Sequence, residues 1–248
     1  MRLSCVIPAY RRHPMTVRHV EECLRSTRVP DEIVVVNDGG DPCLKEMLVE
    51  ALTKFPGRTS KIIYARVEED ILWNFNGAVN LGFWLSTGDI IAIEDTDHIP
   101  DRGLYETALE LFDGTVDRVA VDRRIVDVSQ FPLPYEEWEA RKVIGPNQMT
   151  SLITRDLYLK LKGQDERFCG QYGYMAMSWH DRYNNILKAK THGLKKPLYI
   201  AIFGDEGEPG IQRGMSVINR RFYRETSALG KVQHPQGILN FSYTMERM

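Results

Sequence analysis

Short apolar runs alternate with amphipathic segments along the first half of the chain. The run Ile33-Val34-Val35-Val36 is β-branched, which is typical of a strand buried on both faces. The pattern predicts strands over Leu3–Pro8, Glu32–Asn37, Ile62–Ala65 and Ile90–Ile93, and helices over Pro14–Arg25, Leu44–Phe55 and Asn74–Ser86. This alternation predicts an α/β fold, with a mostly parallel sheet and helices on both faces.

The second half of the chain has a less regular pattern. Its clearest segments predict strands over Arg118–Val128, Met149–Thr154 and Leu198–Phe203, and helices over Leu104–Phe112 and Arg155–Lys162. We find no repeat, low-complexity tract or linker in the sequence. We therefore expect residues 1–248 to form a single domain.

Composition excludes several classes of protein. The 248 residues carry a formal net charge of −2, so no general basic field favours a nucleic-acid partner. The four cysteines are widely spaced without a metal-ligand pattern, which predicts free thiols in a reducing compartment. No segment resembles a signal peptide, and no apolar run approaches the roughly 20 residues that span a bilayer. We expect a soluble, cytoplasmic protein without a transmembrane segment.

Three carboxylates crowd the end of the predicted strand Ile90–Ile93: Glu94, Asp95 and Asp97. Such groups repel one another unless water or a cation lies between them. Asp95 and Asp97 are two residues apart, so both can reach one hard divalent ion where the strand ends. Mn²⁺ or Mg²⁺ prefers such oxygen ligands together with substrate phosphates. The segment predicts a metal–diphosphate site.

Other polar residues directly follow predicted strands. Tyr10 and Arg12 follow the first strand, Asp38 follows the second, and Asp95 and Asp97 follow the fourth. In open parallel sheets, ligands bind beyond the carboxyl ends of the strands. We expect these side chains to gather at one edge, with Tyr10 against a nucleobase, Arg12 at a phosphate and Asp38 accepting hydrogen bonds from a base or ribose.

Several short motifs follow one another along the chain: Val6–Tyr10, Val35–Gly39, Asn76–Gly82, Gly88–Ile91 leading into Glu94–Asp97, and Gly163–Phe168 followed by Gly170–Gly173. This ordered set resembles the inverting family-two glycosyltransferases with the GT-A fold, in which the last two motifs lie on the acceptor side. The resemblance implies a nucleotide-sugar-binding half over residues 1–100 and an acceptor-binding half over residues 101–248. It implies transfer of a sugar, with inversion, from a nucleotide donor to a hydroxyl of a glycan or glycoconjugate. The family's frequent donor is a UDP-sugar.

The resemblance also implies roles for individual residues. Pro8, Ala9 and Tyr10 would form the wall against the nucleotide. Asn80, with Asn76 on the same helical face, would lie close to the donor, as would Glu94. Trp73, just before that helix, is interpreted as a core residue in preference to a wall of the pocket.

The sequence departs from the family at the catalytic base. The usual acceptor-side motif places Glu-Asp soon after Tyr-Gly, and its Asp is the general base. Here Met175-Ala176 follows Tyr174 instead, and neither side chain can take a proton. The nearest downstream groups are His180 and Asp181. We predict Asp181 as the base, with His180 as the alternative.

Histidines are candidates for a further metal ligand. His98 adjoins the Asp-Thr-Asp segment and is predicted to join Asp95 and Asp97 at the ion. His234 lies in a C-terminal stretch, from which some GT-A enzymes recruit a ligand. His192 precedes a glycine and is interpreted as a helix C-terminal residue.

Two other functions stay open. A catalytically inactive relative that binds a sugar nucleotide or glycan would also lack the Glu-Asp pair. A nucleotidyltransferase shares a similar sheet and metal carboxylates, but it usually carries a glycine-rich loop where this chain has Pro8-Ala9-Tyr10. The sequence therefore ranks the nucleotidyltransferase lowest.

Overall fold

The structure is a computed structural model that describes residues 1–57, 59–203, 215–231 and 241–248. Its strands are β1 Leu3–Ala9, β2 Glu32–Asp38, β3 Lys61–Val67, β4 Ile90–Ile93, β5 His98–Pro100, β6 Arg118–Asp127, β7 Lys142–Ile144, β8 Ser151–Thr154, β9 Thr191–Phe203 and β10 Tyr243–Arg247. Its α-helices are α1 His13–Arg25, α2 Cys43–Leu52, α3 Phe75–Leu85, α4 Leu104–Leu109, α5 Arg155–Lys160, α6 Met175–His180 and α7 Val217–Ser227. A π-helical segment, Asp181–Ile186, continues α6.

One sheet connects both halves of the described chain. Its order is β10-β3-β2-β1-β4-β8-β6-β9-β5, with β7 paired to β6. Strands β1 to β4 are mutually parallel, as predicted, and β8 joins β4 antiparallel. The sheet is therefore mixed, with its parallel part in the first half, and the predicted α/β class is confirmed.

The core lies on both faces of the sheet because side chains alternate along each buried strand. Leu3, Cys5 and Ile7 of β1 pack with α1, α2 and α4 on one face. Val6 of the same strand packs on the other face, with α3 and α5. Helices thus cover both faces of the sheet. Because neither face of the parallel strands meets water, these strands can be apolar at consecutive positions.

The predicted elements of the first half all form, with ends that differ by a few residues. In the second half, the strand predicted over Leu198–Phe203 begins earlier, at Thr191. The sequence pattern missed β5, β7, α6, α7 and β10. Among these, β10 is exposed along its whole length, so it lacks the alternation that reveals a half-buried strand.

Candidate functional site

A cavity of about 400 Å³ opens beyond the carboxyl ends of β1, β2 and β4. Parallel strands bring the residues that follow them to one edge, which is where ligands bind in such sheets. The predicted residues that line the cavity are Pro8, Ala9, Tyr10, Arg12, Asp38, Asp95 and Asp97. Its other walls include Leu72, Trp73, Asn74, Phe75, Thr96, Asn147, Met149, Tyr172, Met175 and Ala176.

Asp95, Asp97 and His98 form a compact group at this edge. One ligand atom from each lies within 4.8 Å of the others. Burial and the neighbouring Asp97 carboxylate raise the pKa of Asp95 to about 6. A divalent cation between the two carboxylates would offset both the cost of burying the Asp95 charge and its repulsion by Asp97. The donor set of two carboxylates suits Mn²⁺ or Mg²⁺.

His98 holds Asp97 in place through a defined tautomer. Its Nε2 lies 2.8 Å from Nη1 of Arg123, a group that can only donate, so Nε2 is the acceptor. Nδ1 therefore carries the proton and donates to Oδ1 of Asp97 at 2.6 Å. In this arrangement His98 orients a carboxylate, and ligation of a metal by its ring would require one of these partners to leave. The ligand role of His98 stays a prediction.

Arg12 supplies positive charge beside the carboxylates. Its Nη1 lies 3.1 Å from Oδ2 of Asp97, and both side chains remain partly exposed to the cavity. The residue before it, Arg11, has a left-handed backbone with φ of 58° and turns the chain sharply after β1. This turn brings the guanidinium back over the ends of the strands.

Asp38 is the most buried acid of the cavity, with 3% of its surface exposed. Burial raises its pKa to about 7, the nearby Asp70 carboxylate adds to the rise, and a hydrogen bond from Asn74 opposes it. Asn74 Nδ2 donates to Oδ1 of Asp38 at 2.8 Å. No other side chain in the described ranges donates to Asp38, so its second carboxylate oxygen can accept from a ligand that offers a donor.

Aromatic side chains border the cavity on two sides. Tyr10 donates its hydroxyl to Asp70 at 3.1 Å, and the Arg11 guanidinium lies 4.8 Å above its ring. Trp73 and Tyr172 pair with ring centroids 4.7 Å apart. The interpretation of Trp73 as a core residue is wrong, because its half-buried ring lines the cavity. Its backbone has φ of 54°, which is rare for a bulky residue and typical of functional sites.

The structure places three predicted donor-binding residues elsewhere. Glu94 is fully buried on the α1 side of the sheet, because alternation along β4 turns it away from Asp95. Asn76 and Asn80 share a face of α3, as predicted. However, their amides donate to the backbone carbonyls of Asp165 and Gln164, at 2.8 and 2.9 Å. They anchor the loop at residues 164–165 and do not line the cavity.

The two candidate bases also lie away from the cavity. Asp181 accepts hydrogen bonds from Tyr223 at 2.5 Å and Ser227 at 2.9 Å, in a separate small depression. His180 packs edge-on against Tyr183. Ala176 does line the cavity, and five residues of helix rotate position 181 by about 140° from it. This geometry gives the base role no support, and it stays a prediction for Asp181 or His180.

The other histidines do not reach the site in the described part of the chain. His192 lies in β9 and not at a helix C-terminus, so that interpretation is wrong. His234 lies outside the described residues. Four residues of the candidate site or in contact with it were not predicted from the sequence: Asn74, Arg123, Asn147 and Tyr172. Asn147 donates to His98 Nε2 at 3.3 Å. It ends a Gly-Pro-Asn stretch, a sequence pattern that predicts a loop but does not show which residue the asparagine contacts.

Solved structures share this architecture. TarS of S. aureus in complex with UDP-GlcNAc aligns with a TM-score of 0.70 at 13% identity, over 93% of this chain and 66% of that chain. The mannosyltransferase PcManGT of Pyrobaculum calidifontis, in complex with GDP-Man and Mn²⁺, aligns with a TM-score of 0.59 at 17% identity, over 94% and 66%. Likeness at this level of identity shows the GT-A fold alone.

Curated relatives match over shorter stretches. An uncharacterized glycosyltransferase of Rickettsia bellii is 30% identical over 110 residues, 44% of this chain and 14% of the relative. An uncharacterized glycosyltransferase of a Nostoc species is 26% identical over 112 residues, 45% of this chain and 33% of the relative. The matches thus span a third or less of those proteins. Within the described ranges, none of the helices is both apolar and long enough to cross a bilayer.

The family profile of glycosyl transferase family 2 covers residues 4–182. This match contains β1 from its second residue, β2 to β4, the carboxylates of Asp95 and Asp97, and the loop at residues 163–173. It extends over far more than half of the 248 residues, and the chain therefore belongs to glycosyl transferase family 2.

Proposed function

We propose that this protein is a metal-dependent, inverting glycosyltransferase that moves a sugar from a nucleoside diphosphate donor to a hydroxyl acceptor. The observation that carries the proposal is the grouping of Asp95 and Asp97 at the end of β4, in one cavity with Asp38 and the Pro8–Tyr10 wall. Metal ligands and nucleotide-binding groups thus face the same space. Membership of the family and the bound ligands of the solved neighbours support this reading.

Asp95 and Asp97 are the residues that would hold the ion. Two adjacent carboxylates are hard oxygen donors, and the Mn²⁺ in the PcManGT complex makes a divalent ion the natural occupant. When bound, such an ion neutralises the negative charge that develops on the leaving diphosphate. Arg12, 3.1 Å from Asp97, is placed to contact the same phosphates. The hydrogen bond from His98 at 2.6 Å would keep the Asp97 carboxylate oriented when the ion is bound.

The nucleoside is assigned to the opposite end of the cavity. Tyr10 offers a ring for stacking, and Asp38 offers a carboxylate oxygen to a base or ribose donor. Asn74 fixes that carboxylate through its 2.8 Å hydrogen bond. We propose a UDP-sugar as donor. TarS and PcManGT were solved with UDP-GlcNAc and GDP-Man, so both bases belong in the test.

In an inverting transfer, an acceptor oxygen forms a bond to the anomeric carbon from the face opposite the phosphate. The bond from that carbon to the phosphate oxygen breaks, and its electron pair leaves with the nucleoside diphosphate. The acceptor hydroxyl must lose its proton to a base. We propose a glycan or glycoconjugate acceptor bound along the wall of Trp73 and Tyr172, because paired aromatic rings suit the apolar face of a sugar.

One observation favours a second candidate, a sugar-nucleotide-binding protein without transferase activity. The second half contributes Asn147, Met149, Tyr172, Met175 and Ala176 to the described lining, and none of these is a carboxylate or imidazole. Met175 and Ala176 begin α6, where the family places its Glu-Asp pair. A protein of this kind would bind the donor with the metal but would not turn it over.

The test begins with binding and then asks for turnover. Thermal unfolding is measured with UDP or GDP, each with and without Mn²⁺. A ligand at one hundred times its Kd stabilises the native state by about 2.7 kcal/mol. We expect a shift that requires both nucleotide and Mn²⁺ and disappears in Asp97→Asn, with Asp156→Asn, an exposed acid on α5, as control. No shift with any nucleotide would refute the proposal. Binding without release of nucleoside diphosphate from UDP- or GDP-sugars, with glycan acceptors present, would select the second candidate.

A further inference from the structure

A second group of metal-ligating side chains lies beneath the cavity, in the core. Cys5 of β1, His19 and Cys23 of α1, and Glu94 after β4 each offer one ligand atom, and these four atoms lie within 4.8 Å of one another. All four residues have no exposed surface. The transfer reaction proposed above uses none of them.

The distances within this group approach those of a tetrahedral site. The Sγ atoms of Cys5 and Cys23 are 4.0 Å apart, and two thiolates bound to one zinc ion at about 2.3 Å lie about 3.8 Å from each other. Glu94 Oε2 lies 3.1 Å from Cys5 Sγ and 4.0 Å from Cys23 Sγ. His19 Nε2 contacts the same oxygen, so these two atoms must separate slightly to admit an ion.

We propose that Cys5, His19, Cys23 and Glu94 bind one Zn²⁺ ion as a buried structural site. Two thiolates, one imidazole and one carboxylate are ligands that zinc accepts, and four protein ligands close the tetrahedron. Binding displaces the two thiol protons and any proton on His19 Nε2 to solvent, since only the deprotonated groups ligate.

The surroundings supply the outer contacts that such a site needs. The other ring nitrogen of His19, Nδ1, lies 3.5 Å from the carbonyl oxygen of Thr96, which favours Nε2 as the ligating atom. Tyr105 and Tyr199 donate their hydroxyls to Glu94 Oε1, at 2.9 and 3.0 Å. Two thiolates and a carboxylate exceed the charge of the ion by one, and these hydroxyl donors stabilise that excess.

The location gives the ion a structural role in the candidate active site. Glu94 and Thr96 flank Asp95. Glu94 would be a zinc ligand, and the carbonyl oxygen of Thr96 would hold the ring of a second ligand, His19. Zinc would thus fix α1 to the end of β4 and hold the backbone from which Asp95 and Asp97 project. The site is closed to solvent and contains sulfur, so it differs from the open carboxylate site in both position and ligand softness.

The test uses the full chain and zinc itself. Protein expressed with added ZnSO₄ is dialysed against EDTA and its metal content is measured by mass spectrometry. We expect about one zinc ion per chain to survive, because a closed structural site holds zinc tightly. Chain unfolded with chelator and refolded with Co²⁺ should show thiolate-to-cobalt charge-transfer absorption and strong tetrahedral d–d bands.

Variants distinguish this site from the carboxylate site. Cys23→Ser should lose the retained zinc and weaken the cobalt bands, while Cys169→Ser and Asp97→Asn should keep both. If wild-type protein retains no zinc and its cobalt form shows no thiolate band, the cluster is a metal-free hydrogen-bond network and the proposal is overturned. Retained metal that disappears in Asp97→Asn but not in Cys23→Ser would also overturn it. The wild-type measurements decide the question even if Cys23→Ser does not fold, and they are independent of transferase activity.

Discussion

Arg12 and Asp97 form an ion pair at the mouth of the cavity, with Nη1 of the arginine 3.1 Å from Oδ2 of the aspartate. The guanidinium therefore occupies space beside the carboxylate on which a divalent ion would be bound. A fixed cation at this position opposes metal binding to the free protein, yet it favours an incoming diphosphate. The two ligands of the proposed reaction should respond to Arg12 in opposite directions.

We predict that Arg12→Met raises the affinity for Mn²⁺ alone and lowers the affinity for UDP in the presence of Mn²⁺ about tenfold or more. The second effect follows from loss of a charged hydrogen bond worth about 1.5–3 kcal/mol. Titration calorimetry measures both constants. Arg28→Met is the matched control, because Arg28 pairs with Asp31 at 2.7 Å just before β2, at the edge of the sheet opposite the cavity. A loss of affinity for both ligands would contradict the prediction.

Asp97→Asn should abolish the response to metal and leave the fold intact. The substitution is nearly isosteric. It weakens the contacts of Asp97 with Arg12 and His98 but removes the charge repulsion with Asp95, so its two effects on stability oppose each other. We expect no detectable transfer and no thermal shift with Mn²⁺ and nucleotide, while the unliganded melting temperature stays close to that of wild type. Transfer that persists in Asp97→Asn, or that resists excess EDTA in wild type, would exclude a metal at this position.

The raised pKa of Asp38 predicts that the free energy of unfolding depends on pH. The raised pKa keeps Asp38 protonated up to about pH 7 in the folded protein, whereas the unfolded chain releases this proton near the ordinary aspartate pKa of 3.8. The unfolded state therefore gains relative stability as the pH rises through this window, so the Asp38 contribution to folding stability falls from pH 4 toward pH 7.

The slope from this one group is at most about 1.4 kcal/mol per pH unit. Asp38→Asn should remove it, so the wild-type and variant curves of unfolding free energy should diverge across the window. Urea denaturation without nucleotide at several pH values measures the curves. The exposed Asp156→Asn should follow wild type. Parallel curves for wild type and Asp38→Asn would show that Asp38 ionises normally in the folded state.

Strand order and side-chain alternation explain which carboxylates of the candidate site were predicted correctly from the sequence and which were not. Asp38 ends β2, and Asp95 and Asp97 follow β4. Because these strands are parallel, topology alone brings the three carboxylates to one edge. Glu94 lies on the opposite face of the sheet, with Ile90 and Ala92. Extending the alternation of β4 by one residue beyond Ile93 predicts this position for Glu94.

Side-chain contacts between segments far apart in the chain could not be predicted from the sequence. Cys5 and Cys23 are 18 residues apart, without the close spacing of a zinc motif, yet β1 and α1 bring their sulfur atoms within 4.0 Å. The amides of Asn76 and Asn80 donate hydrogen bonds to backbone carbonyls of the loop at residues 164–165, a contact that only the folded structure shows. Helical periodicity gave their shared face correctly but not what that face contacts.

Asp181→Asn tests whether the predicted base acts from its observed position. Asp181 accepts hydrogen bonds from Tyr223 and Ser227, outside the lining of the cavity. If Asp181 keeps this position during the reaction, turnover should change by less than about tenfold, below the hundredfold minimum for losing general-base catalysis. The loss of charge should instead lower stability by about 1 kcal/mol, because hydrogen bonds to a charged acceptor weaken. Tyr223→Phe is the matched variant and should show the same stability loss with unchanged turnover. A fall of a hundredfold or more in Asp181→Asn, with donor affinity and the Tyr223→Phe turnover both retained, would establish Asp181 as the base and require the segment around it to move toward the Asp95–Asp97 carboxylates during the reaction.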